Sequence, residues 1–292
     1  MSLSLNYDSP AELKKYLESR NMGMQKKFGQ NFLINPNARK SLIDSLDAKP
    51  GDSVWEIGPG LGAMTAEMLR REFSVKAFEI DRGFIEALKD LFSDEPNLEI
   101  VPGDVLKTWK KALPAAPFLL GNLPYNIGAS IIADFIEQQC FFSRIVVTVQ
   151  KEVAQRMAAK PGSSDYSSFT VLCNMAYTVK PLMVLKGASF YPPPHVDSQG
   201  VCLNLKADVD FSAYPAILTP MVRTLFSSRR KTVQNNLQTF ISSGIMGIQG
   251  SSRDLAAAAL DSCGISPMER AERLSLDEFS ALASAIMQNL EK

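Results

Sequence analysis

The chain has 292 residues, 46% of them apolar and 21% charged, with 31 basic side chains balanced by 31 acidic ones. That size and apolar share fit one large α/β domain, alone or with a small second domain, around a sizeable core. Zero net charge excludes a whole-protein field as the basis of nucleic-acid binding, so any such binding has to come from local clusters. Cys140, Cys173, Cys202 and Cys263 lie far apart with no metal-ligand spacing and read as reduced core residues. There is no apolar signal region and no run of 18 apolar residues, which points to a soluble cytoplasmic protein.

In chain order, Ser9-Pro10-Ala11-Glu12 reads as a capping box with proline at the first helical position, opening a helix to about Arg20. From Asp52 onward short apolar runs alternate with helical stretches. Strands are expected at Val54–Gly58, Val75–Ile80, Leu98–Val101, Phe118–Gly121 and Ile145–Val149. Helices are expected at Ala63–Arg71, Gly83–Phe92, Ala129–Cys140 and Lys151–Ala159. This alternation predicts an α/β fold with a parallel, doubly wound sheet. Ser168–Leu205 is richer in β-branched residues, with turns at Pro181 and Pro192–Pro194, and predicts further strands, some antiparallel. Lys206–Pro215 reads as a linker, and the rest as helices separated by a polar loop at Ser242–Ser252.

Three motifs fall at the ends of successive strands, where open α/β sheets bind ligands. In Trp55-Glu56-Ile57-Gly58-Pro59-Gly60-Leu61-Gly62 three glycines let the backbone turn tightly, and Gly58 and Gly60 can approach a ligand closely. The spacing is GxGxG, not GxGxxG, and alone it leaves a plain strand–helix turn or a nicotinamide site open. Glu79, 21 residues after Gly58, is placed to accept both ribose hydroxyls of a nucleoside. Asp104, in Gly103-Asp104-Val105, is placed beside an adenine to accept from its exocyclic amine.

The fourth strand runs into Asn122-Leu123-Pro124-Tyr125. An adenine amine is a poor nucleophile because its lone pair is delocalised into the ring. Two acceptors on its N–H bonds, the Asn122 side-chain oxygen and the Leu123 carbonyl, favour a pyramidal and more reactive amine. Pro124 stiffens the loop, and Tyr125 can stack on the base. Such catalysis is positioning and electrostatics.

This tetrapeptide behind the Gly58-x-Gly60-x-Gly62 loop resembles the ribosomal RNA adenine dimethyltransferases. Lys27-Phe28-Gly29-Gln30-Asn31-Phe32-Leu33, Gln150–Arg156, Phe190-x-Pro-Pro-Pro-x-Val-Asp-Ser198 and Phe226-x-x-Arg229-Arg230-Lys231-Thr232 resemble further motifs of that family, in order over roughly residues 23–280. The resemblance implies a Rossmann-like methyltransferase doubly wound sheet (23–206), a small C-terminal helical, rRNA-facing domain (207–292) and an N-terminal helical extension (1–22). It implies transfer of methyl groups from S-adenosylmethionine, without a metal, to N6 of two adjacent adenosines near the 3′ end of 16S rRNA in the small ribosomal subunit or its precursor. The family binds S-adenosylmethionine at positions that are here Asn31, Leu33, Gly58, Glu79, Asp104 and Asn122, and sandwiches the target base between those that are here Tyr125 and Phe190. A stacked adenosine has to be extruded to reach such a pocket.

RNA-facing clusters are Lys26-Lys27, Lys107 with Lys110-Lys111, and Arg229-Arg230-Lys231; Arg229–Lys231 lie in the motif of the RNA-facing domain. His195, the one histidine, stands where the family often has lysine and reads as a structural or weak RNA contact. A single copy, with no membrane partner, is expected. Three other readings stay open: a large-subunit methyltransferase conferring macrolide resistance, against which Phe226–Thr232 argues; an assembly or transcription factor on this fold; and a nicotinamide-dependent dehydrogenase, which lacks its GxGxxG.

Overall fold

The computed structural model describes residues 5–22, 31–207, 209–244 and 251–290. Its elements run α1 (Pro10–Ser19), β1 (Phe32–Leu33), α2 (Pro36–Asp44), β2 (Ser53–Ile57), α3 (Ala63–Arg70), β3 (Ser74–Glu79), α4 (Arg82–Leu91), β4 (Leu98–Pro102) and α5 (Val105–Thr108). Then follow β5 (Phe118–Asn122), α6 (Gly128–Glu137), β6 (Arg144–Gln150), α7 (Lys151–Met157), α8 (Ser168–Ala176), β7 (Tyr177–Leu185), β8 (Phe190–Tyr191) and β9 (Ser198–Leu205). The C-terminal part holds α9 (Leu218–Ser227), α10 (Val233–Ser242), α11 (Ser252–Ser262) and α12 (Leu276–Leu290).

The chain divides into two compact units, Met1–Ala154 with Thr178–Leu205, and Gln155–Tyr177 with Lys206–Lys292. The first is built on a seven-stranded sheet of order β4-β3-β2-β5-β6-β9-β7. Neighbours from β4 to β6 are parallel, and β9 runs antiparallel to β6. The inner strands are apolar on both faces, as helix-covered parallel strands have to be; in β6 Ile145, Val146, Val147 and Val149 are all buried. Trp55 on β2 centres an aromatic cluster, with Phe78 at 4.9 Å and Phe142 at 5.5 Å between ring centroids. Helix α4 shows how the pattern works locally. Phe84, Ile85, Leu88 and Leu91 recur on one face and are buried, and the Asp81 carboxylate caps the start by accepting from Gly83 N–H at 2.8 Å.

Two expectations change. Ser168–Ala176 is helical, not a strand. Ser167 and Thr170 form a reciprocal capping box there, and Val171, Leu172, Cys173 and Met175 are buried, so capping and packing override β propensity. This segment belongs to the helical second unit, whereas the sequence places it with the sheet. At the N-terminus Ser9 accepts from Glu12 N–H, but the Glu12 carboxylate takes the Asn6 amide instead of closing the box.

In the second unit, Leu218, Met221, Leu225, Leu237, Phe240 and Phe279 are buried. Asn236, 2% exposed, donates to the carbonyls of Leu225 (2.9 Å) and Ser228 (3.1 Å). These bonds satisfy the end of α9 and fix the turn that carries Arg229, Arg230 and Lys231. Cys140, Cys173 and Cys202 are buried, and Cys263 is half-buried. No described helix is long and apolar enough to cross a membrane.

Candidate active site

The cleft of the first unit opens at the C-terminal ends of β2, β3, β4 and β5. It encloses about 980 Å³ of non-atom space, open solvent included. Asn31, Leu33, Gly58, Gly60, Glu79, Asp104, Asn122, Leu123, Pro124 and Tyr125 all line it, so strands from across the sheet bring the sequence motifs to one place.

The glycine loop leaves β2 and enters α3. Gly60 has φ +57°, and a Cβ there would stand 3.0 Å from the Phe32 ring. Gly62 has φ +86°, and a Cβ would stand 2.5 Å from the Phe92 ring. Gly62 therefore requires glycine on conformation and on space, and Gly60 favours it on conformation, with the Phe32 ring close by. The bare loop presents backbone to the cleft.

Glu79 closes β3 and is 5% exposed. Its Oε1 accepts from the N–H groups of Ile80 and Asp81, both at 2.9 Å, and its Oε2 from Gly60 N–H at 3.1 Å. Burial pushes this carboxyl above the ordinary value, and the three N–H donors pull it back. The bonds fix the carboxylate plane and leave one lone pair, on Oε2, to accept a hydroxyl. Asp104 uses Oδ1 to cap α5 through Leu106 N–H at 3.1 Å, and Lys107 Nζ lies 4.0 Å from Oδ2. Apolar Ile57, Phe78, Ile80 and Val105 complete this end of the cleft, and Ile80 is 44% exposed at its mouth.

At the other end, Asn122 Nδ2 donates to the Asn31 carbonyl at 2.7 Å. That bond fixes the amide, and Oδ1 is its remaining acceptor. Leu123 N–H donates to Thr148 O at 3.0 Å, whereas no donor meets the Leu123 carbonyl among the described residues. The Tyr125 hydroxyl is hydrogen-bonded to Ser198 Oγ, which anchors the ring; burial raises its pKa and that bond lowers it.

Phe190 stands apart. It is 2% exposed, pairs with Leu33 across β1 and β8, and packs in the apolar core with Leu42 and Leu185, outside the residues that line the cleft. Lys26 and Lys27 lie outside the described residues. Arg229, Arg230 and Lys231 are exposed on the α9–α10 turn, with Arg229 Nε 3.2 Å from Glu272 Oε2. Arg230 and Lys231 have no acidic partner among the described residues. There, too, no group of three or more His, Cys, Asp or Glu side chains is arranged to hold a metal ion.

Sequence reasoning passed over the apolar wall, Phe32, Phe84 and Ile80 among them, because such residues read as core. It also gave no role to Glu56. This residue is wholly buried, accepts from Thr65 Oγ1 at 2.6 Å on Oε2, and leaves Oε1 without a partner among the described residues. An acidic residue inside an otherwise apolar strand was the available signal.

The antiparallel β9, between β6 and β7, separates this sheet from an all-parallel dinucleotide-binding one. With a glycine loop, a buried carboxylate closing β3 and a carbonyl-flanked asparagine, it defines a Rossmann-like methyltransferase. The family model "Ribosomal RNA adenine dimethylase" matches residues 21–258. Ribosomal RNA small subunit methyltransferase A of Treponema denticola is 41% identical over 294 residues, 96% of each chain. The protein of the same name from Borreliella afzelii is 40% identical over 82% of this chain and 85% of its own. A dimethyladenosine transferase from Plasmodium falciparum superposes with a TM-score of 0.72 at 26% identity, covering 85% of this chain and 94% of that one. The 23S rRNA methyltransferase ErmE shares the fold, with a TM-score of 0.64 at 23% identity over 90% of this chain and all of that one. The chain belongs to the ribosomal RNA adenine dimethylase family.

Proposed function

We propose that this protein dimethylates N6 of two adjacent adenosines near the 3′ end of 16S rRNA, on the small subunit or its precursor in the cytoplasm, as one step of ribosome biogenesis. The observation that carries the reading is the pair of acceptors at one end of the cleft, the Asn122 amide fixed by Asn31 and the open Leu123 carbonyl.

The residues present fit S-adenosylmethionine, which supplies an electrophilic methyl group when bound. Glu79 would accept from the ribose, Asp104 Oδ2 from the adenine amine, and Ile80 and Val105, which line the same end of the cleft, would bound the base. Gly58 and Gly60, on either side of Pro59, carry no side chain and let the backbone approach closely. Asn31 and Leu33 border the rest of the cofactor.

On the target side, Asn122 Oδ1 and the Leu123 carbonyl accept the two N6–H bonds and turn the nitrogen lone pair toward the cofactor. Pro124 keeps the carbonyl in place, and Tyr125, anchored by Ser198, stacks on the extruded base. Neither acceptor is a base at neutral pH, so the proton released from N6 passes to water. Phe190 supports Leu33 from the core side. The domain division follows the function: the sheet unit carries the chemistry, and the helical unit carries RNA contacts through Arg229, Arg230 and Lys231, with Lys26 and Lys27 as further contacts.

The test incubates the purified protein with S-adenosylmethionine and small subunits from a strain lacking the modification, followed by nucleoside mass spectrometry. N6,N6-dimethyladenosine is expected, with the rate lowered on the order of 10²-fold in Asn122→Ala, comparable to loss of one transition-state hydrogen bond. Formation at an undiminished rate in folded Asn122→Ala contradicts the role given to that amide.

A further inference from the structure

The segment ahead of the cleft motifs is built into the cleft wall. Leu13 and Leu17 of α1 are 1% and 5% exposed and pack with Phe32, Leu61, Phe84 and Ala87 in one apolar cluster. Phe32 and Phe84 also line the cleft, with ring centroids 5.6 Å apart in an edge-to-face pair. The Phe32 ring rests on Gly60, whose N–H donates to Glu79. The two rings thus have one boundary on the cleft and another on α1.

A polar tie runs beside this apolar one. Arg39 is 8% exposed, donates to the Leu33 carbonyl at 2.7 Å, and is ion-paired with Asp8 just ahead of α1. Leu33 is itself a cleft residue. The Asp8 carboxylate, half-exposed, thus helps to hold the buried guanidinium that donates to Leu33.

We propose that α1 is a positioning element for the cofactor. It acts through Leu13 and Leu17 on Phe32 and Phe84, and through Asp8 and Arg39 on Leu33, and it sets the affinity of the cleft for the S-adenosyl group. The proposal rests on the reading of this cleft as the S-adenosylmethionine site. A ten-residue helix is too short to persist alone, so α1 holds its shape by this packing. Coupling between sites is reciprocal, so a cofactor that orders Phe32 and Phe84 also stabilises α1.

The experiment uses the full chain and S-adenosylhomocysteine as probe. Leu13→Ala/Leu17→Ala is expected to weaken its Kd by tenfold or more and to raise KM for S-adenosylmethionine. kcat at saturating cofactor stays within about twofold, because the apolar cluster that Leu13 and Leu17 belong to does not include Leu123 or Tyr125. Asp8→Asn shifts Kd in the same direction by less, and the conservative Leu17→Met keeps the Kd of the unmodified protein. An unchanged Kd, or a fall in kcat at constant KM, overturns the proposal. Hydrogen exchange of the unmodified protein gives a second reading should the double variant not fold: S-adenosylhomocysteine slows exchange across Leu13–Ser19, and no slowing overturns the proposal. Absence of any binding by the unmodified protein instead refutes the cofactor-site reading on which it rests.

Discussion

Glu56→Gln probes the least ordinary charge in the fold. Glu56 is wholly buried on β2, and burial, with the nearby Glu79 charge adding to it, pushes its carboxyl from 4.5 up to about 8; the Thr65 bond opposes this. An acid with a raised folded pKa contributes stability that is complete below its unfolded value near 4.5. That contribution is lost as pH rises through about 8, because the unfolded chain ionises first. At about 1.4 kcal/mol per pH unit, the native protein gives up about 3–4 kcal/mol between pH 5 and pH 8. Glutamine keeps the shape and the Thr65 contact and has no proton to lose. The stability of Glu56→Gln relative to the unmodified protein should therefore climb by that amount over the interval and level off on either side. Urea titrations followed by tryptophan fluorescence measure it, since both tryptophans, Trp55 and Trp109, are in the first unit. A difference that does not vary with pH refutes the reasoning and means that Glu56 is ionised in the fold.

Other perturbations address the remaining parts of the site. Glu79→Gln removes a carboxylate that accepts from the ribose and should weaken S-adenosylhomocysteine binding on the order of 10²-fold, from charge-assisted bonds of about 1.5–3 kcal/mol; calorimetry with a 2′,3′-dideoxy analogue should show little of that loss. Gly62→Ala forces φ +86° on alanine and sets its Cβ 2.5 Å from Phe92, so it should cost about 2–4 kcal/mol in a urea titration. Arg230→Ala/Lys231→Ala should weaken small-subunit RNA binding and reduce its log–log salt slope by about 1.5–2, as loss of two phosphate contacts requires; an unchanged slope removes them from the interface.

The sheet and most of the cleft were legible because they rest on local rules. Alternating apolar strands and helices gave β2 to β6 within two residues, and Gly58, Glu79, Asp104 and Asn122 met in space because successive parallel strands deliver their C-terminal ends to one edge. Ser168–Ala176 misled because its β-branched and apolar residues fit a strand as well as a buried helix face, and the Ser167–Thr170 cap decides between them. Phe190 shows a different limit. Its position on β8 follows from the motif, but which way its side chain faces depends on the register with β1, which no local pattern sets. The same holds for α1: its capped start is legible in Ser9-Pro10, but not that Leu13 and Leu17 pack with Phe32.

The most direct test is to map the modified nucleotides after reaction with unmodified small subunits, by primer extension across the rRNA. The account predicts stops at two adjacent adenosines near the 3′ end of 16S rRNA, dependent on S-adenosylmethionine and strongly reduced in Asn122→Ala. No stops with a protein that binds S-adenosylhomocysteine, or stops at other nucleotides of the small-subunit rRNA, would contradict it.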